Sequence, residues 1–392
     1  MAGPVRHPID TAALERYISE NVPEIKVPLD VKQFGYGQSN PTYQLTSQPT
    51  GTQYVLRKKP AGKLLSSTAH KVEREHRIIK ALHQHTSVPV PRAYALCEDA
   101  SILGTPFYIM SFIRGRIFAD ATIPSARTPG ERASLWRAAV RALAALHSVD
   151  PDAVGLGSYG RRSGFYERQL RTWRQISAAQ ARATDVDTGA AVGEIPHMDE
   201  LVAFFGDEAL RPRDRATLVH GDYKIDNVVF APDDDDEEPP APARVAGILD
   251  WEMSTIGHPL GDLANMVLPF VSASLAADSA SSSSAVPAVS SPGFLPGATP
   301  GLPTLDTIIQ WYAEAAGWTP PPDEVAWACA FAVFRLSAVC QGIAARVAAR
   351  QASSEDARRH ADSMRPLGEF AWELVRKEKE KRAQKAGRKA KL

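Results

Sequence analysis

The segment that most restricts how this chain can fold is His220-Gly221-Asp222-Tyr223-Lys224-Ile225-Asp226-Asn227, followed at the end of the next apolar run by Ile248-Leu249-Asp250-Trp251-Glu252. Thr217-Leu218-Val219 precedes the first part, Val228-Val229-Phe230 follows it, and Ala243 to Gly247 lead into the second. Two carboxylates and one amide therefore stand at the ends of short apolar strands. Such groups suit a site for ATP and Mg²⁺. Transfer of a γ-phosphoryl group passes through a loose transition state, so a protein contributes mainly by positioning reactants and neutralising charge. Asp222 would orient an attacking hydroxyl and accept its proton. Asn227 and Asp250 would hold magnesium through hard oxygen donors, with His220 in support.

The remaining pattern predicts an α+β fold. A short helix is expected over residues 10–22, then an antiparallel sheet where apolar and polar residues alternate between Gly, Asn and Pro turns. HKVEREHRIIKALHQH predicts a helix on that sheet, and YALCED and PFYIMSFIRG two more strands. The chain divides into an N-terminal lobe of residues 1–115, a mainly helical lobe of 116–375 and a basic tail of 376–392. Flexible insertions are expected near 231–243, which is acidic and proline-rich, and 272–303, which is rich in Ser, Ala and Pro. Gly35 and Gly37 lie in a turn with Ser39, where backbone N–H groups can face phosphates. A plain hairpin turn is the other meaning of those glycines. His147, on an apolar helical face, is expected to be a packed core histidine.

Lysine plus arginine equal aspartate plus glutamate at 45 each, so no global field draws the chain to nucleic acid. The three cysteines, Cys97, Cys329 and Cys340, lack metal-ligand spacing and are expected to be reduced core thiols. No secretory signal and no uninterrupted apolar run of about 18 residues is present, which predicts no membrane span. Ala390-Lys391-Leu392 is a close variant of the Ser-Lys-Leu address, which predicts the peroxisomal import receptor as a partner and a peroxisomal location, with a cytoplasmic one as the alternative.

The H-G-D-x-x-x-x-N pattern followed by L-D-W-E resembles the aminoglycoside phosphotransferase and choline kinase superfamily, which shares the two-lobed protein-kinase-like fold. The resemblance implies that Arg57, in YVLRK, contacts ATP phosphates and pairs with Glu75, with Glu73 as a rival partner. It implies that Met110 and Phe112 border the adenine, and that Asp262, in GHPLGDLANM, braces the catalytic loop.

GQSNPTYQL, ERQLRTW and FRLSAVCQGI are similar to the phosphotransferase domain fused to some acyl-CoA dehydrogenases. That likeness implies phosphorylation of a 4-hydroxy acid or hydroxyacyl-CoA that feeds β-oxidation. Arg168, Arg171 and Trp173 are candidates for the substrate cleft, against a bland helix with exposed arginines. A choline-like or sugar-like kinase and a nucleotide-binding pseudokinase scaffold remain as alternatives.

Overall fold

The computed structural model describes residues 2–35, 40–60, 71–232, 242–279, 292–352 and 356–389. The chain forms two compact units. The first comprises Met1–Ala119, Val149–Tyr159 and His220–Thr255, and the second Asp120–Ser148, Gly160–Val219 and Ile256–Leu392.

The first unit is built on a six-stranded antiparallel sheet in the order β1-β2-β3-β4-β6-β5, with β1 Ala2–Gly3, β2 Leu29–Phe34, β3 Thr42–Ser47, β4 Gln53–Lys58, β5 Ala93–Cys97 and β6 Phe107–Ser111. Along β3 every second residue, Tyr43, Leu45 and Ser47, is buried, as one covered sheet face requires. Helix α1 (Thr11–Asn21) starts where Asp10 accepts a hydrogen bond from Ala13 N at 2.9 Å, and it buries Leu14 and Ile18 against Tyr43, Leu45, Leu56 and Phe107. Helix α2 (Val72–His85) buries Val72, Glu75, Ile78, Ile79 and Leu82. The spacing of three and four residues puts them on one face, so Glu75 points inward with the aliphatic residues. The four-residue helix α3 (Ala100–Leu103) closes at Gly104.

The sequence boundary at 115 cuts through this unit. Two further strands, β8 (Val228–Phe230) and β9 (Val245–Ile248), form an antiparallel pair that belongs to it. Arg116 and Phe230 exchange backbone hydrogen bonds of 2.8 and 2.9 Å, and Ile248 N donates to Pro89 O at 2.9 Å. Gly115 permits this approach, because a Cβ there would lie 2.1 Å from Phe230 O.

The second unit is mainly helical: α4 (Pro129–His147), α5 (Phe165–Ala181), α6 (Met198–Gly206), α7 (Leu260–Ser279), α8 (Leu305–Ala316), α9 (Pro322–Ala348), α10 (Ala357–Asp362) and α11 (Met364–Lys389). Short strands β7 (Thr217–Val219) and β10 (Thr255–Gly257) pair within a small sheet. Its core centres on the rings of Tyr166, Phe205, Trp327 and Phe331. Helix α9 is long and apolar enough to cross a membrane, but 67% of its most apolar window is buried, as in the core helix of a globular unit.

One expectation changes here. The insertion placed at 272–303 is structured on both sides of 280–291, which lie outside the described residues: α7 continues to Ser279, and Phe294 is buried with its ring 4.9 Å from Phe270. An alanine-rich run also propagates a helix well, and composition did not separate the two outcomes. The basic tail is helical through Lys389, and its Glu378 is buried and paired with Arg382. Lys381 and Lys385 reach Asp323 at 3.6 and 3.2 Å, so part of the charge is spent on α9. Ala390, Lys391 and Leu392 lie outside the described residues, as do residues 233–241 of the acidic insertion.

Candidate active site

The paired motif condenses in the first unit. His220, fully buried, accepts from Asp222 N at Nδ1 (3.3 Å) and donates from Nε2 to Leu249 O (2.8 Å). With one nitrogen accepting and one donating, the imidazole thus joins the start of the Asp222 loop to the residue before Asp250. Leu249 N donates to Asn227 O at 2.9 Å, which adds a second tie. Gly221 has φ +87°, and a Cβ on it would meet Met253 O at 2.4 Å. Only glycine accepts both the backbone angle and the approach.

Asp222 is held from its own loop. The Asn227 amide nitrogen donates to Asp222 O at 2.9 Å and to its carboxylate Oδ2 at 3.2 Å. Lys224 Nζ lies 3.6 Å from the same Oδ2 and 3.2 Å from Asp226. Burial opposes the lysine charge, yet Asp222 and Asp226 outweigh it and raise the Lys224 pKa. Lys224 was not singled out from sequence, although its place two residues after Asp222 was visible there.

Asp250 adopts a left-handed backbone (φ 65°, ψ 62°), a conformation that aspartate tolerates better than most residues. Its Oδ1 accepts from Arg57 Nη2 at 2.7 Å, and the same nitrogen lies 3.1 Å from Glu252. Arg57 Nε stands 3.2 Å from Glu75 Oε2, an ion-pair distance without hydrogen-bond alignment. The expected pairing with Glu75 is therefore present. Its rival Glu73 binds Lys59 at 3.0 Å instead. Burial works against the Arg57 charge, but Glu75, Tyr108, Asp250 and Glu252 together raise its pKa.

Glu75, 1% exposed, also accepts from the Asn40 amide and from Tyr108 OH, each at 3.0 Å. Burial pushes it up to about 7 despite Arg57. Asn40, Tyr108 and Glu252 are further members of the site that sequence reasoning missed. Their clue was polarity within otherwise apolar or turn-forming stretches, which does not reveal a partner.

Other predicted residues fall as follows. Gly35 is exposed with open space around it, while Gly37 and Ser39 lie outside the described residues. Met110 is buried in β6, opposite Val55, and the Phe112 ring stacks on Phe34 at 6.5 Å. In the second unit Asp262 is fully buried and lies 3.2 Å from His147 Nε2, whose Nδ1 is 2.8 Å from Tyr312 OH. His147 is the packed core histidine its helical face predicted. On α5, Arg168 donates to the carbonyls of Ser163 and Arg161, Arg171 faces Glu167 at 3.9 Å, and Trp173 donates to Gln169 at 3.0 Å.

Among the described residues no three His, Cys, Asp or Glu side chains converge as a metal cage. A magnesium ion carried by nucleotide phosphates needs none, because it keeps waters and takes one or two protein oxygens. Asp250, 37% exposed, and the Asn227 amide oxygen, whose nitrogen is turned to Asp222, are of the right type.

The sequence model described as the phosphotransferase enzyme family matches residues 30–283, well over half of the chain. The chain belongs to this phosphotransferase family. A solved structure from Ralstonia eutropha JMP134, provisionally named an aminoglycoside phosphotransferase, is 34% identical, covers 94% of this chain and 99% of its own, and has a TM-score of 0.73. Plasmodium vivax ethanolamine kinase, 12% identical over 89% of this chain and 85% of its own, shares the kinase-like fold with a TM-score of 0.57.

Rat acyl-CoA dehydrogenase family member 11 is 35% identical over 95% of this phosphotransferase and 44% of its own length. Mouse acyl-CoA dehydrogenase family member 10 is 36% identical over 93% of this chain and 31% of its own. The chain spans less than half the length of these curated relatives.

Proposed function

We propose that this phosphotransferase moves the γ-phosphate of ATP, with Mg²⁺, to the hydroxyl of a 4-hydroxy acid or its CoA ester. The observation that carries the phosphoryl-transfer part is the double hold of Asn227 on Asp222, through the carbonyl and the carboxylate. It holds that carboxylate in place as the group that accepts the proton of an incoming hydroxyl. Lys224 places positive charge beside that carboxylate. Arg57, steered by Glu75 and Glu252, supplies a guanidinium for the phosphates. Bound magnesium would supply charge neutralisation between the phosphates, held by Asp250 and Asn227. The hydroxy-acid substrate is supported by the likeness to the acyl-CoA dehydrogenase family members.

The test is Mg²⁺-dependent ADP release by the full chain against 4-hydroxy acids, their CoA esters, choline, sugars and aminoglycosides. Asp222→Asn, which keeps the shape and removes the base, is the control. Stimulation by the hydroxy acids or esters, lost in the variant, is expected. Stimulation by choline or a sugar alone would overturn the substrate assignment, and full activity of the variant would overturn the mechanism.

A further inference from the structure

In the second unit, Arg213, Arg215, Trp318, Pro321 and Glu324, none of them among the groups just described, line a cavity of about 380 Å³. The Arg215 guanidinium lies 4.2 Å above the Trp318 indole, which fixes its plane. Trp318 is half-buried and backed by the rings of His258 and Tyr312, at 6.3 and 6.4 Å. Among the described residues, the guanidinium groups of Arg213 and Arg215 and the Trp318 indole N–H have no hydrogen-bond or ion-pair partner. Elsewhere in the chain Arg57, Arg74, Arg92 and Arg132 are all engaged. Glu324, in the first turn of α9, lines the same space and makes no ion pair with either arginine.

We propose that this cavity is a second binding site, for a phosphorylated nucleoside, built from residues other than those of the phosphotransfer site. The chemistry of the lining divides among the parts of such a ligand. Two guanidinium forks match phosphate oxygens, and the volume is within the range of small-ligand pockets. The edge of the indole and Pro321 offer apolar contact to a flat base. A carboxylate beside them accepts from ribose hydroxyls, a duty acidic residues perform in other nucleotide sites, and it explains why an acid tolerates a place in an anion pocket. The ligand is either a free nucleotide or the adenosine bisphosphate end of coenzyme A, which share this chemistry.

The full chain is titrated calorimetrically with adenosine 3′,5′-bisphosphate in the absence of magnesium, alongside R213A/R215A, R213K/R215K, W318L and R57M. One equivalent is expected to bind wild type and R57M alike. R213A/R215A should bind at least about tenfold more weakly, since two charge-assisted contacts are removed. R213K/R215K should fall between them, because lysine keeps the charge but not the fork. Both arginines are exposed, so R213A/R215A and R213K/R215K are expected to melt as wild type does, and the less stable R57M is titrated below its own melting transition. Coenzyme A binding more tightly than the bisphosphate identifies an acyl-carrier handle, and AMP binding as tightly identifies a free nucleotide. The proposal is overturned by no binding to wild type, by equal affinity in R213A/R215A, by loss in R57M instead, or by inorganic phosphate binding as tightly as the nucleotides. None of these readouts depends on phosphoryl transfer, so failure of the proposed reaction leaves the test intact.

Discussion

Arg57 Nη2 donates to Asp250 Oδ1 at 2.7 Å although 193 positions of chain separate the two residues. The same side chain faces Glu252 and Glu75, so one guanidinium holds three carboxylates together.

Removing that cation should leave buried acids uncompensated. Arg57→Met is expected to cost about 3–5 kcal/mol of stability and to abolish Mg·ATP binding, while Arg57→Lys retains more stability than nucleotide affinity because it lacks the planar fork. Chemical denaturation and nucleotide titration of the three proteins check this, and unaltered stability of the methionine variant would refute it.

Gly221→Ala forces a left-handed alanine whose Cβ falls 2.4 Å from Met253 O. The backbone alone costs about 1–2 kcal/mol, and relief of the clash must displace the turn that follows Asp250. Denaturation midpoints and steady-state rates should show reduced stability together with at least about a tenfold loss of transfer. A stable variant with normal turnover would show that the close approach is not needed.

Burial raises Glu75 from 4.5 to about 7 in the folded protein. Between those values the folded chain binds more protons than the unfolded one. The contribution is thus complete below about pH 4.5 and is lost as pH rises through about 7, with roughly 3 kcal/mol at stake. Stability of wild type minus that of Glu75→Gln should fall across this window. A difference that stays flat with pH would contradict the assignment.

His258 behaves in the opposite sense. Burial lowers its pKa from 6.5 to about 4, and it accepts from Leu260 N at 3.2 Å while donating to Arg213 O at 3.0 Å. Its contribution is complete above pH 6.5 and is lost as pH falls through about 4, again roughly 3 kcal/mol. His258→Gln should therefore lose less stability than wild type between pH 6.5 and 4 in an acid denaturation series. An identical slope would place the acid sensitivity elsewhere, with His76, also lowered to about 4, as the next candidate.

The sequence by itself determined the local chemistry. The spacing of His220, Asp222 and Asn227 was readable because a tight loop needs its donors and acceptors at short, constant intervals. Helical periodicity put Val72, Ile79 and Leu82 on the inward face of α2, and the structure adds Glu75 and Ile78 to that face. Tertiary structure alone decided the partnerships. Glu75 rather than Glu73 meets Arg57, Asn40 and Tyr108 complete the buried cluster, and Glu252 shares the guanidinium with Asp250. The reason is physical: hydrophobic burial sets which face of an element turns inward, but a charged group finds its partner across strands distant in sequence. The distance and angle of that encounter exist only once the sheet, the helix and the two motif strands have packed.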